Sequence, residues 1–206
     1  MNYFNFSTLQ HHDIESILNK YPLKNPPIAV YCGAKPGKNP IYEKAAIELG
    51  EKLSLAGFNL VYGGASVGLM GVVATEMLKN NSQVVGVIPE TMFQHETPRT
   101  DLTYLHVTDS MHTRKSIIEK YAYGFVTLPG GIGTVEEIME IMTWGRLFNH
   151  GKPMIILNIN HFFDDLKNQL LKIVSEGFMD QKFLNNILFT DSVEECVATL
   201  KQKVNF

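Results

Sequence analysis

Short apolar runs of four to six residues alternate along this chain with helical patterns of ten or more, and few architectures admit that alternation. A strand buried on both faces reads as a continuous apolar run, and joining two parallel strands takes a crossover long enough for a helix. Strands are expected at residues 28–32, 59–62, 84–88, 104–107, 124–128, 154–157 and 187–190. Helices are expected from Pro40, behind an Asn39 cap, to a stop at Gly57, and then at residues 68–79, 110–122, 134–148, 162–175 and 193–203, with a short turn at 181–185. Seven such strands specify a doubly wound, mainly parallel α/β sheet with helices on both faces.

At 206 residues the chain is long enough for one such domain with a sizeable core, and residues 26–206 are assigned to it. Residues 1–25 form an N-terminal appendage with one short helix expected at 9–19, ended by Tyr21-Pro22 and the Pro26-Pro27 pair. A formal charge of −3 without any basic stripe argues against a nucleic acid polymer as partner. The first residues lack a basic and apolar leader pattern, and no segment approaches the roughly 20 apolar residues that cross a bilayer. A cytoplasmic protein without membrane contact is expected, with Cys32 and Cys196 as buried free thiols. The seven histidines show no metal-ligand spacing, so no metal site is expected.

Ligands of sheets in this class sit outside the carboxyl ends of the strands, and four unusual sequences fall there: Gly33-Ala34-Lys35, the stretch from Tyr62-Gly63-Gly64 to Gly68, Pro89-Glu90, and Pro129-Gly130-Gly131-Ile132-Gly133-Thr134. The last breaks a strand with glycines before Thr134 opens a helix, a turn that aims N–H groups and the positive helix end at an anion. Neither glycine cluster has the dinucleotide spacing, which favours a mononucleotide. Arg114 and Lys115 stand in the first turn of a helix, where cations oppose the dipole unless an anion lies nearby. Glu137 reads on spacing alone as the glutamate of a Thr134-Val135-Glu136-Glu137 capping box, with Glu140 one turn further on the same face.

Taken together, Tyr62-Gly63-Gly64 through Gly68-Leu69-Met70-Gly71, Met111-His112-Thr113-Arg114-Lys115, and Pro129 through Glu137 resemble the Lonely Guy family of cytokinin-activating phosphoribohydrolases, over about residues 28–178. The resemblance implies a Rossmann-like nucleotide-binding domain, a homodimer or higher homo-oligomer, and no cofactor. It further implies hydrolysis of the N-glycosidic bond of a purine riboside 5′-monophosphate, such as AMP or an N6-substituted derivative, to free base and ribose 5-phosphate. It places catalysis on Arg114 and Glu137, reversing the capping reading of Glu137. Substrate and phosphate binding fall to Gly63, Gly64, Gly130, Gly131, Gly133, Thr134, Lys115, Met111, Glu96 and Glu140. A lysine decarboxylase, a label often attached to such sequences, would need a Schiff-base lysine, and neither Lys115 nor Lys152 offers a recognisable arrangement for one.

The chain departs from the family pattern at four places. Ala34 and Lys35 stand where serine is usual, His95 replaces an arginine before Glu96, Tyr123 replaces an aspartate, and Arg146 replaces a glutamine. These departures keep an alternative open, a non-catalytic nucleotide or molybdenum-cofactor carrier of the same fold.

Overall fold

The computed structural model describes residues 3–6, 19–94, 97–148 and 150–204. The sheet is parallel throughout and runs β1-β5-β4-β3-β2-β6-β7-β8. Its strands are β1 (Tyr3–Phe6), β2 (Pro27–Tyr31), β3 (Asn59–Tyr62), β4 (Val84–Pro89), β5 (Tyr104–Thr108), β6 (Gly124–Thr127), β7 (Met154–Leu157) and β8 (Ile187–Thr190). All seven expected strands are present within a residue or so, and the doubly wound class holds. The eighth, β1, comes from the N-terminal appendage and adds to the free edge of β5, pairing Tyr3 with Leu105 and Phe6 with Thr108. The helix expected at 9–19 lies mostly outside the described residues.

Helices α1 (Ile41–Leu55), α2 (Gly68–Lys79), α3 (Met111–Tyr121), α4 (Ile132–Phe148), α5 (Asp164–Ser175), α6 (Gln181–Leu184) and α7 (Val193–Lys203) cover the two faces. The first helix starts as its sequence dictates: the Asn39 side chain accepts from the Ile41 amide at 3.1 Å, and Gly57 at φ +84 ends the turn after it. Alternate strand residues feed two cores. Ile28 and Val30 join Leu60, Tyr62, Ile155 and Leu157 beneath α1, α2 and α7. Ala29 and Tyr31 join Val61, Val85, Phe125 and Ile156 beneath α3, α4 and α5. Burial on both faces explains why these strands read as unbroken apolar runs.

The strand order reverses at β2. From there the chain winds outward through β3, β4 and β5 on one side, and through β6, β7 and β8 on the other. The connections leaving β2 and β6 therefore diverge, and a crevice opens between their carboxyl ends. One backbone hydrogen bond ties its two lips together, from the Gly33 amide to the Pro129 carbonyl at 3.1 Å.

Candidate active site

A cleft of about 550 Å³ occupies that crevice, within the size range of small-ligand sites. Residues 32–37 after β2 and 129–134 after β6 line it, with Leu69 and Met70 from α2, Met111 and Arg114 from α3, and Glu137 from α4. Tyr42, Met92 and Phe162 complete the wall.

The glycine turn forms one side. A Cβ on Gly130 would stand 2.1 Å from Thr134 Oγ1 and 2.8 Å from the Gly33 nitrogen, so glycine there lets the turn close on buried Thr134. Gly131 and Gly133 differ, because a Cβ on either would meet nothing within 4 Å. Packing does not demand glycine at those two positions, and without side chains their backbone lies open to the cleft. Helix α4 begins at Ile132, two residues before the expected start, and its first intrahelical bond at this end runs from Val135 N to Gly131 O at 3.1 Å. The amides of Ile132, Gly133 and Thr134 precede that bond and have no intrahelical acceptor, as in the first turn of any helix.

The early start corrects the capping reading. Thr134 lies inside the first turn, and the Glu137 carboxylate turns instead to Arg114, with Oε1 3.1 Å from Nη1. Both side chains are nearly buried, at 13% and 11% exposure. Arg114 is held from behind, its Nε donating to the Val87 carbonyl at 3.2 Å and its Nη1 lying 3.0 Å from Met111 Sδ. Burial pushes the Glu137 carboxyl above the usual glutamate range, while the Arg114 guanidinium pulls it back down. The helix that carries Arg114 is fixed by Ser110, whose Oγ accepts from the Thr113 amide at 3.2 Å.

Of the binding residues expected from sequence, Gly130, Gly131, Gly133, Thr134 and Met111 line the cleft with Arg114 and Glu137. Gly63 and Gly64 do not. A Cβ on Gly63 would fall 2.5 Å from Arg114 Nη2, and one on Gly64, at φ +79, would crowd Ile88 and Leu105 at 3.3 Å. Their small size serves the seat of Arg114 and the join to β4. Lys115 and Glu140 also stand outside the lining, ion-paired to each other at 3.0 Å. Glu96 and the neighbouring His95 lie outside the described residues.

The apolar wall was missed from sequence. Phe162 meets Tyr42 edge-on with ring centroids 5.8 Å apart, and it follows Asn160 and His161, both in the left-handed region at φ 53 and 59. Two successive non-glycine residues there are strained, and no sequence signal announces them.

A family model described as "Possible lysine decarboxylase" matches residues 70–200. A cytokinin riboside 5′-monophosphate phosphoribohydrolase LOG of Oryza sativa subsp. japonica is 37% identical over 177 residues, covering 86% of this chain and 73% of that one. LOG7 of Arabidopsis thaliana, with the same descriptive name, is 38% identical over 175 residues, covering 85% and 81%. The chain belongs to the Lonely Guy family. Among solved structures, the molybdenum cofactor binding protein of Rippkaea orientalis superposes with a TM-score of 0.66 at 21% identity, covering 88% of this chain and 99% of that one. That likeness is one of fold. The decarboxylase wording finds little purchase on this Lonely Guy chain, because the two lysines considered for a Schiff base are both held in ion pairs, Lys115 with Glu136 and Glu140 and Lys152 with Glu119.

Proposed function

We propose that the chain hydrolyses the N-glycosidic bond of a purine riboside 5′-monophosphate, a cytokinin riboside 5′-monophosphate or AMP, giving free base and ribose 5-phosphate. The observation that carries this reading is the buried Glu137–Arg114 pair opening onto the same cleft as the glycine turn. The relatives' shared descriptive name supports it.

In this reading the 5′-phosphate sits on the first-turn amides of α4 and the Gly131–Gly133 backbone, and its binding energy fixes C1′ near Glu137. As the bond from C1′ to the base breaks, its electron pair leaves with the base, which takes up a proton, and positive charge builds on the sugar. The Glu137 carboxylate stabilises that charge and accepts a proton from the water that adds to C1′. Arg114 holds the carboxylate in place and bonds ribose or phosphate oxygens. Met70, Met92, Met111, Tyr42 and Phe162 supply apolar and aromatic surface for a flat base.

The reading includes a homodimer and a cytoplasmic location. Exposed Ile132, Met139, Leu147 and Phe148 along α4 support self-association through that helix. No described helix is long and apolar enough to cross a membrane.

Chromatography of free base released from a panel of nucleoside monophosphates tests the function. The expected result is release from purine 5′-monophosphates by the natural chain, with Glu137→Gln reducing turnover by about a thousandfold or more while the fold is kept. An intact ligand carried through purification with no base released would favour a carrier instead.

A further inference from the structure

Lys115 lies outside the cleft wall, yet it grips the two carboxylates that flank Glu137. Its Nζ donates to Glu136 Oε1 at 2.8 Å and to Glu140 Oε1 at 3.0 Å. Lys115 and Arg114 are consecutive on α3, and the three glutamates lie within five residues of α4. One helix thus presents two cations to three carboxylates of the other, the arginine taking Glu137 and the lysine its neighbours. This is more than a lone surface ion pair, because the Lys115 side chain, only 11% exposed, bridges two carboxylates, Glu140 at 20% exposure and Glu136 at 55%.

We infer that Lys115 is a positioning residue which, by neutralising Glu136 and Glu140, keeps Glu137 ionised and holds α4 at the angle that presents it to the cleft. The inference rests on Glu137 being the group that must be charged for turnover. The balance of charge is narrow. Two cations against three carboxylates leave a single negative excess, and without Lys115 that excess doubles beside a carboxylate already disfavoured by burial. The other groups that face Glu137 do not compensate. From β2 and the residue after it, the Tyr31 phenol and Cys32 thiol are pushed up by burial and stay neutral in the working range. Lys35, after β2, lines the cleft but is exposed, so water screens it. Arg114 and Lys115 remain as the offsetting charges, while Glu136 and Glu140 push the other way.

The test reads Glu137 directly and does not need substrate. Protein labelled at glutamate carboxyl carbons is titrated by NMR, with the Glu137 signal assigned by its loss in Glu137→Gln, alongside kcat/KM as a function of pH. Lys115→Met is expected to move the Glu137 titration to higher pH, and the ratio of kcat/KM at pH 5 to that at pH 8 falls about threefold or more. Lys115→Arg restores both. Glu136→Gln, which leaves Lys115 paired with Glu140, moves the titration the opposite way and serves if Lys115→Met does not fold. An unmoved Glu137 titration, or a kcat/KM lowered equally at every pH, overturns the inference. If the natural chain releases no base at all, the hydrolase reading fails while the carboxyl titration still decides the role of Lys115.

Discussion

A carboxylate that acts as a base must be charged, and in the proposed function Glu137 is that carboxylate, with Arg114 3.1 Å away. Gly63 gives a test of the arrangement. In Gly63→Ala the new methyl would overlap Arg114 Nη2 and press on Met70 Sδ, which lies 3.2 Å from the ideal Cβ position. Both are ends of flexible side chains, so the fold should lose little, while a guanidinium displaced by about 1 Å should cost on the order of a hundredfold in kcat/KM. Thermal unfolding compared with base release separates the two effects, and a drop in midpoint without loss of activity would contradict the account. At this scale the sequence was a partial guide. The family resemblance singled out Arg114 and Glu137, which the structure brings into contact beside the cleft, and it gave Gly63 to substrate binding, whereas the space beside Gly63 is taken by the Arg114 guanidinium. The capping reading of Glu137 failed because it assumed a helix start at Thr134, and a helix start depends on where the preceding glycine turn releases the chain.

The elements were more legible than their partnerships. β2, β4 and β7 announce themselves because burial on both faces forces an unbroken apolar run. β1 does not, because Tyr3–Phe6 is a short edge strand with a polar residue in its middle, recognisable only once β5 stands beside it. Helix α4 carries its own ambiguity. Ile138, Ile141 and Met142 face the core, while Leu147 and Phe148 near its end are 66% and 75% exposed, apolar surface that the proposed dimer would cover. A Leu147→Glu, Phe148→Glu pair is expected to shift the proposed dimer to monomer in sedimentation velocity, with the far-ultraviolet spectrum unchanged. A sedimentation coefficient unaffected by the pair would place the interface elsewhere.

For the whole molecule, acid stability is governed in part far from the cleft. His106 is fully buried, its Nε2 3.0 Å from the Tyr121 hydroxyl, and burial lowers its pKa to about 4. Its stabilising contribution is complete above the ordinary value of 6.5 and is lost as pH falls towards 4, because the unfolded chain takes up the proton first. The loss amounts to about 3 kcal/mol across that window. Glu137, raised instead of lowered, acts with the opposite sign at acid pH, so the difference between the natural chain and His106→Phe isolates the histidine. Denaturant midpoints for the variant should vary less between pH 6.5 and 4; an equal fall in both proteins would refute the assignment.

The Gly33–Pro129 bond joins two loops whose strands belong to opposite wings of the sheet. Both loops line the cleft, so a ligand bound against the two of them would act as a staple across the seam where the wings part. Occupancy should then be felt mechanically as well as chemically. A ligand at a hundredfold excess over its Kd should raise the unfolding free energy by about 2.7 kcal/mol. It should also slow hydrogen exchange at the Gly33 amide more than at the outer strands, whose bonds the staple does not span.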